Sequence, residues 1–456
     1  MVPFWKRLFL GLFLSFTPVV FAEESAPAPW RVTSREEIAT VWSGNPVGFC
    51  FKEKEGILFA GFYSADKNMV IGQKNPGETW KFQTLPTKIG WDSHNFIAME
   101  FDHENKLHVS GNMHCVPLIY FRAEKPLDIA SLRPVHRMVA EDTTPEARRA
   151  ALEHQVTYPI FLFHHDGRLL FNYRHGSSGN GISLWNSYDE KTRTWSRFLD
   201  KPLTDGKGKC NAYATQPTLG KDGFYHVAYV WRDTGDCATN HDLSYLRSRD
   251  LIHWEKSDGT PLEIPVTPDY GEVIAPLQPG EGLLNAFVRV GFDQENRVII
   301  TYTRYDENEN LQLMQARREK DGWKIYQTSD WTHRWIFSGY GCIPTELSFG
   351  NIRVDENGDL VQYWNRKHES SGEFVLDPAT LRPIRRTVRP AMPKECYQVE
   401  NPQPNQRLKS ASLDLTPNKK LFFAWETLPI NRDQPHDVVP VPSTLRMFVL
   451  ERETEK

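Results

Sequence analysis

Short runs of alternating apolar and polar residues, separated by turns rich in Asp, Asn, Gly and Pro, fill most of the chain. This two-residue period is that of half-buried β-strands, and stretches with the 3.6-residue period of a helix are few. One exception is residues 143–155, where Thr144 can cap a helix, Pro145 suits its first position and Glu146 its first turn. The pattern predicts an all-β chain with one short inserted helix.

One unit recurs along the chain, a polar turn with Gly or Asn followed by a strand. Its seven copies are centred on Gly56, Asn105, Gly167, Gly223, Asn296, Gly358 and Asn418. The spacing of roughly 50 to 70 residues is that of one four-stranded propeller blade. We therefore predict a seven-bladed β-propeller that forms one domain over residues 23–456. A strand near residues 31–42 is expected to close the ring by completing the blade that contains Phe422 to Trp425.

A second kind of turn lies between these copies and ends in a tryptophan, at Trp80, Trp195, Trp254 and Trp323. These turns resemble the Asp-box turns of sialidase-type propellers, in which an Asp caps the turn and a Trp packs between sheets. We interpret them as structural fasteners of the blades and not as ligands.

Two histidines flank a predicted β-hairpin within residues 90–121. Between His94 and His114 lie an alternating run, a polar turn at residues 102–106 and a second alternating run. Strands rise roughly 3.3 Å per residue, so two arms of similar length bring both histidines to one end of the hairpin. Two imidazoles at one rim suit acid–base chemistry near neutral pH. The alternative is that both are hydrogen-bonded rim residues without a chemical role.

The next polar stretch repeats this geometry. Tyr158 opens a strand, a turn follows at residues 166–167, and Arg174 ends the returning strand. The two side chains should meet at one rim, where Gly176, Gly179 and Gly181 would let the backbone approach a ligand. Taken singly, each residue is more often structural, but two consecutive blades with a matched rim pair favour a functional site.

The N-terminal residues and the charge limit the classes of function. Residues 1–22 have a basic patch, an apolar stretch and a final Ala22, which predicts a secretory signal peptide and a secreted or periplasmic protein. The net charge of −4 and the dispersed basic residues argue against nucleic acid, and no later run is apolar enough for a membrane span. Six scattered cysteines define no disulfide framework.

Several motifs resemble those of the ulvan lyases built on seven-bladed propellers of BNR-type repeats. The resemblance rests on WDSHN, SGNMH, VTYP, YRHGSSGNG, NAY and WRDTGDCATNHDLSYLRSRDLIHW, and it covers roughly residues 90–265. It implies polysaccharide lyase activity, with catalytic residues at His94, His114, Tyr158 and Arg174. It implies a substrate contact from Tyr213, although the preceding loop differs in length, and we assign Asn95 and His175 to substrate binding as well.

The implied reaction is β-elimination at a 4-linked uronic acid, and it requires these residue types. Arg174 could neutralise the uronate carboxylate and stabilise the enolate that forms when the C5 proton leaves. We expect the cation to lower the pKa of Tyr158. Tyr158 and His94 are predicted to transfer the protons, with His114 and Arg174 holding the carboxylate. Which histidine is the base stays open, and the chemistry needs no cofactor.

A second group of residues could bind a structural metal. The resemblance implies a zinc, or a calcium, held by His226, Cys237, His241 and the distant Cys342. The spacing is looser than in most zinc motifs. The alternative is a buried histidine, a free cysteine and a histidine that stabilises a turn.

Two rival functions stay open at this point. A sialidase-like hydrolase would need a Tyr–Glu nucleophile pair and three convergent arginines, which the sequence does not assemble. A non-catalytic carbohydrate-binding propeller would need only rim aromatics. We favour a monomeric lyase that acts in the degradation of an anionic polysaccharide rich in rhamnose and uronate.

Overall fold

The strands of this chain pair into successive antiparallel sheets. The computed structural model describes residues 29–140, 144–367, 371–387, 392–400 and 405–452, so the predicted signal peptide lies outside the described residues. Within them the strands form seven sheets of four to seven strands. The prediction of an all-β chain folded as a β-propeller is confirmed.

The strands follow one another sheet by sheet, apart from the first strand and one short bridging strand. The first strand is β1 (Arg31–Val41). The next sheet contains β2 (Cys50–Lys54), β3 (Ile57–Tyr63), β4 (Asn68–Lys74) and β5 (Lys81–Lys88). It is followed by β6 (Ile97–Phe101), β7 (Leu107–Gly111), the bridging strand β8 (His114–Val116), β9 (Tyr120–Ala123) and β10 (Leu132–Pro134).

Two larger sheets form the middle of the chain. One contains β11 (Val156–Phe163), β12 (Leu169–Ser177), β13 (Asn180–Asp189) and β14 (Thr194–Arg197), together with β8. The other contains β15 (Asn211–Ala214), β16 (Thr218–Leu219), β17 (Tyr225–Arg232), β18 (Asn240–Ser248), β19 (Trp254–Glu255), β20 (Pro261–Leu262) and β21 (Glu272–Ala275).

Three further sheets complete the described chain. They contain, in order, β22 (Arg289–Phe292), β23 (Val298–Tyr305), β24 (Leu311–Glu319) and β25 (Gly322–Gln327); β26 (Leu347–Phe349), β27 (Arg353–Val354), β28 (Leu360–Arg366), β29 (Ser371–Leu376) and β30 (Pro383–Thr387); and β31 (Arg407–Thr416), β32 (Lys419–Thr427) and β33 (Ser443–Glu451).

Helices are short and lie between strands. The predicted helix is present as α1 (Pro145–Ala150), and its cap Thr144 accepts a hydrogen bond from the Ala147 amide, as the sequence predicted. Single 3₁₀ turns occur at Ile129–Ser131, Cys237–Thr239, Asn285–Phe287 and Lys394–Tyr397. No helix among the described residues is both long and apolar enough to cross a bilayer.

The two ends of the described chain meet in one sheet. Strand β1 pairs with β33 from Arg31, opposite Glu451, to Val41, opposite Ser443, and β33 pairs with β32. The predicted closure by an N-terminal strand is therefore confirmed. It joins strands that lie about 400 residues apart in the chain, and pairing of this range is costly in chain entropy until the packing it allows is in place.

Aromatic side chains fasten neighbouring sheets to each other. The rings of Phe51 and Phe423 stack with centroids 3.7 Å apart, and this contact joins the β2–β5 sheet to the closing sheet. Trp195 donates a hydrogen bond to the Tyr120 hydroxyl of the preceding sheet, at 3.1 Å. Trp323 reaches Glu272 of the preceding sheet at 2.9 Å. The interpretation of the turn tryptophans as fasteners is confirmed at these two positions.

The Phe51–Phe423 contact gives a stability prediction. Phe51 and Phe423 are 9% and 2% exposed, so Phe51→Ala removes a buried ring and leaves a cavity between two sheets. We expect a loss of about 3 to 5 kcal/mol in the free energy of unfolding, measured by denaturant titration. Val439→Ala, at a residue that is 90% exposed, should change it by less than about 0.5 kcal/mol. Equal losses in both variants would contradict the assigned role of this contact.

Candidate active site

The loop before β6 holds His94 by means of a neighbouring carboxylate. Asp92 Oδ1 accepts hydrogen bonds from the His94 backbone amide at 2.8 Å and from its Nδ1 at 2.7 Å. Such a turn is favoured by Asp because its short side chain reaches the backbone two residues further on. The other oxygen, Oδ2, contacts Nδ1 of His114 at 2.5 Å. One carboxylate therefore orients both imidazoles, whose ring centroids lie 4.2 Å apart.

The pairing of three strands places His114 and Arg174 on either side of Thr157. Thr157 on β11 lies opposite His114 of β8 and opposite Arg174 of β12. Its hydroxyl accepts hydrogen bonds from the Cys115 amide at 2.8 Å and from Arg174 Nη2 at 3.0 Å. The predicted hairpin geometry is confirmed, with one addition: β8 leaves the sheet of its own hairpin and joins the next sheet.

Tyr158 occupies a strained position in β11. Its φ is 59°, in the left-handed region, and the strand register shifts between Thr157 and Ile160. A bulge of this kind redirects a side chain that regular alternation would place elsewhere, and strained backbone is concentrated at functional sites. The Tyr158 ring lies 5.8 Å from that of His94, and the Arg174 guanidinium carbon lies 5.0 Å from the Tyr158 centroid. The four predicted catalytic residues therefore lie together.

The electrostatics of Tyr158 differ from the prediction. Burial raises the pKa of its phenol, the neighbouring Tyr213 raises it further, and Arg174 lowers it less, so the pKa lies well above its ordinary value. The expected lowering by Arg174 is wrong because desolvation penalises the phenolate more than one cation stabilises it. The Tyr158 phenol is thus neutral at neutral pH.

Asp92 has the opposite electrostatic behaviour. Burial would raise the pKa of its carboxyl, but the hydrogen bonds from His114 and His94 outweigh that effect and hold the pKa well below its usual range. Asp92 therefore stays ionised beside the imidazoles. It keeps a proton on each Nδ1, which leaves each Nε2 as the basic nitrogen.

Of the three residues assigned to substrate binding from the sequence, one contacts Arg174, one lies beside His94 and one lies apart from the catalytic group. Tyr213 belongs to the group, since its hydroxyl lies 3.2 Å from Arg174 Nη1 and 2.8 Å from Ser178. Asn95 is buried beside His94, and its role stays a prediction. His175 does not join the group: neighbouring strand residues point to opposite faces, and its ring packs on His154 with centroids 4.6 Å apart. The arrangement does not support a substrate contact from His175 beside Arg174.

The four predicted metal ligands do not come together. His226 has one ring nitrogen 2.5 Å from the Tyr245 hydroxyl and the other 3.2 Å from Asp222. His241 contacts Asp233 and Asp242, and Cys237 is buried in a hydrophobic cluster. Among the described residues no three of the four converge on one point. The predicted ligand set does not fit a metal ion, because loose spacing in sequence gave no constraint on distance in the fold.

Cys342 instead lies beside His94 in the candidate active site. Its Sγ is 3.6 Å from His94 Nε2, and its backbone amide donates to Asp433 Oδ2 at 2.7 Å. Asp433 also lies 3.4 Å from His94 Nδ1 and accepts the Ser93 amide at 3.0 Å, so it fixes two loops that are distant in sequence. Asp92, His94 and His114, and likewise His94, Cys342 and Asp433, are close enough to share a cation.

Sequence reasoning did not identify Asp92 or Asp433 as part of this site. Asp92 had a local signal, since an Asp two residues before His94 can accept both the backbone amide and the ring of that histidine. Asp433 had none, because 340 residues separate it from Ser93. Only the closed fold brings it to the site.

The fold and the site define a class: β-propellers with two imidazoles, a phenol and a guanidinium gathered at one rim. Residues 58–331 match a family described as BNR repeat-containing, and this match covers more than half of the chain. The chain belongs to the BNR repeat-containing family.

Short stretches of the chain are similar to ulvan lyases. A long-isoform ulvan lyase of Glaciecola sp. (strain KUL10) is 48% identical over 59 residues, which are 13% of this chain and 6% of that protein. A short-isoform ulvan lyase of Alteromonas sp. (strain LOR) is 41% identical over 58 residues, 13% of this chain and 11% of that protein. The matches thus span about a tenth or less of these relatives.

Two solved structures have the same overall fold. The crystal structure of the polysaccharide lyase Uly1 aligns with a TM-score of 0.58 at 12% identity, covering 92% of this chain and 99% of that one. A PL25 ulvan lyase bound to -[GlcA(1-4)Rha3S]- aligns with a TM-score of 0.56 at 13% identity, covering 91% and 96%. At this identity the likeness establishes the fold.

The shared carboxylate leads to a prediction that does not depend on activity. Asp92→Asn removes the charge that holds a proton on both Nδ1 atoms, so we expect His94 and His114 to become mixtures of tautomers. Nitrogen-15 NMR of the imidazoles measures this directly. The matched control is Asp166→Asn, which removes a carboxylate 2.7 Å from His164 at a distant turn. It should leave His94 and His114 unchanged, and unchanged tautomers in Asp92→Asn would contradict the assigned role.

Proposed function

We propose that the protein is a polysaccharide lyase that cleaves 4-linked uronic acids of an ulvan-like polymer of rhamnose and uronate by β-elimination. One observation carries the proposal: two imidazoles share a carboxylate beside a buried neutral phenol and an arginine without an ion-pair partner among the described residues. The similarity to ulvan lyases over short stretches supports the same reaction.

Arg174 is suited to bind the uronate carboxylate. The side chain is 6% exposed, its protein partners are neutral groups, and its Nε has no partner within the described residues. A buried guanidinium forms strong, charge-assisted hydrogen bonds with a carboxylate. With its Nε2 protonated, His114 would hold the carboxylate together with Arg174, and both would stabilise the enolate that forms as the C5 proton leaves.

His94 and Tyr158 would complete the reaction as base and acid. His94 Nε2 takes the C5 proton, and the C5 electron pair forms the C4–C5 double bond as the C4–O bond breaks. Tyr158 donates its proton to the departing oxygen, for which a raised pKa is appropriate. The nearby Arg174 stabilises the phenolate left behind. Every proton and electron pair is accounted for without a metal or an organic cofactor.

The proposal extends to the architecture and the location. We infer that the seven sheets are seven blades of one ring, that residues 23–456 form a single domain, and that the protein works as a monomer. The antiparallel sheets and their closure by β1 support this arrangement. The seven-sheet arrangement would thus account for the whole described chain as one ring.

We also propose export after cleavage behind Ala22, which is consistent with a polymeric substrate outside the cell. Mass spectrometry of the exported protein should give an N-terminus at Glu23.

The reaction has a direct spectroscopic test. β-Elimination creates an unsaturated uronate that absorbs in the ultraviolet, whereas hydrolysis creates no such chromophore. Tyr158→Phe should keep the fold and most of the binding but lose turnover by a factor on the order of 100 or more, since it removes the acid. Arg174→Ala should weaken both binding and turnover, because the carboxylate charge is present before and during proton removal.

Two other results would assign a different function. Release of sugar ends without new absorbance would identify a hydrolase, and binding of ulvan without any product would identify a carbohydrate-binding propeller. Phe163→Tyr is a matched control, since Phe163 lies exposed at the far end of β11 from Tyr158. It should leave turnover unchanged.

A further inference from the structure

We propose that a pocket beside Arg289 binds the sulfate ester on the sugar next to the uronate held by Arg174. The inference rests on the proposed function and adds a second anion site on the same substrate chain. The pocket has a volume of about 460 Å³ and lies between three sheets. Its polar lining includes Gln216, Thr218, Asn285, Arg289 and Asn351.

Arg289 supplies a cation without a matching anion. Its Nη1 donates to the carbonyl oxygens of Ala286 and Val288, both at 2.9 Å, and the guanidinium carbon lies 5.6 Å from the Phe349 ring. Within the described residues no carboxylate pairs with it, and burial alone lowers its pKa. A half-buried cation whose protein partners are all neutral is the arrangement that an incoming anion completes. No acidic side chain of the described part of the chain lines the pocket.

A chain of contacts joins this pocket to the active site. Arg174 reaches the Tyr213 hydroxyl, and the guanidinium carbon of Arg232 lies 5.5 Å from the Tyr213 ring. Arg232 Nη1 then lies 3.5 Å from Asn285 Oδ1, and Asn285 lines the pocket. Arg232 forms no ion pair among the described residues, and its other partners are the carbonyl oxygens of Thr234 and Gly235. Three arginines thus lead from the catalytic group to the pocket.

The composition of the proposed substrate indicates which anion the pocket beside Arg289 would bind. Charged groups alternate along a chain of the composition bound by the PL25 structure, a carboxylate on GlcA and a sulfate on Rha3S. If Arg174 holds the carboxylate, the next anion along the polymer is a sulfate on the neighbouring sugar. A sulfate ester presents several acceptor oxygens, which suits an arginine surrounded by amide and hydroxyl groups.

The test compares two polymers that differ only in sulfate. Initial rates are measured by ultraviolet absorbance on ulvan and on chemically desulfated ulvan. Wild type should prefer ulvan roughly tenfold in kcat/KM, mainly through KM, which is the effect of one hydrogen bond to a charged group. Arg289→Gln should lose that preference by weakening action on ulvan only. Arg289→Lys should keep part of it because it keeps the charge.

The control variant is Arg304→Gln, at an exposed arginine of β23 in the same sheet, which should behave as wild type. Equal kcat/KM of the wild type on both polymers would overturn the proposal, and so would an equal loss on both in Arg289→Gln. The wild-type comparison decides the matter even if Arg289→Gln does not fold.

Calorimetry separates the failure of this inference from the failure of the lyase assignment. Binding of ulvan and desulfated ulvan by the wild type and by Arg289→Gln does not require turnover. If the protein prefers the sulfated polymer through Arg289 but forms no unsaturated product, the result would support sulfate binding in the pocket and contradict lyase activity. Formation of unsaturated product at equal rates and with equal binding on both polymers would support lyase activity and contradict sulfate binding in the pocket.

Discussion

The closure of the chain on itself is the constraint on which the site depends. β1 joins β33 along nearly its whole length, and the stacked rings of Phe51 and Phe423 join that sheet to the next one. This closure brings Asp433, from the connection between the last two strands, against Ser93 and Cys342. The candidate active site therefore depends on contacts between loops that are distant in sequence.

Within the site, desolvation and charge act in opposite directions on neighbouring groups. The phenol of Tyr158 is kept neutral by burial, whereas the carboxylate of Asp92 is kept ionised by two imidazole hydrogen bonds. Groups whose pKa values are pushed apart in this way keep different protonation states at one pH, so the phenol stays protonated while the ionised Asp92 orients the two imidazoles. The carboxylates nearest the histidines are both occupied as hydrogen-bond acceptors. This distinguishes the arrangement from a hydrolase site built on two free carboxyl groups.

The proposed polyanionic substrate would also account for three arginines that form no ion pair among the described residues. Arg174, Arg232 and Arg289 all donate to neutral oxygen or sulfur atoms of the protein. Leaving such groups uncompensated costs stability. That cost can be recovered when a ligand supplies the anions. In the proposed complex the site and the pocket therefore follow one principle, in which the protein supplies the positive charges and the polymer the negative ones.

The sequence by itself determined the elements and the residue types of the site. The two-residue period, the recurring turns and the cap at Thr144 act over a few residues, so they predicted the strands, the helix and the two hairpins that carry His94, His114, Tyr158 and Arg174. Tertiary structure alone decided which distant groups meet. It placed Cys342 and Asp433 beside His94, separated His226 from His241, and turned His175 away from Arg174. It also buried Tyr158 and so raised its pKa, because desolvation depends on everything packed around a side chain and not on its neighbours in sequence.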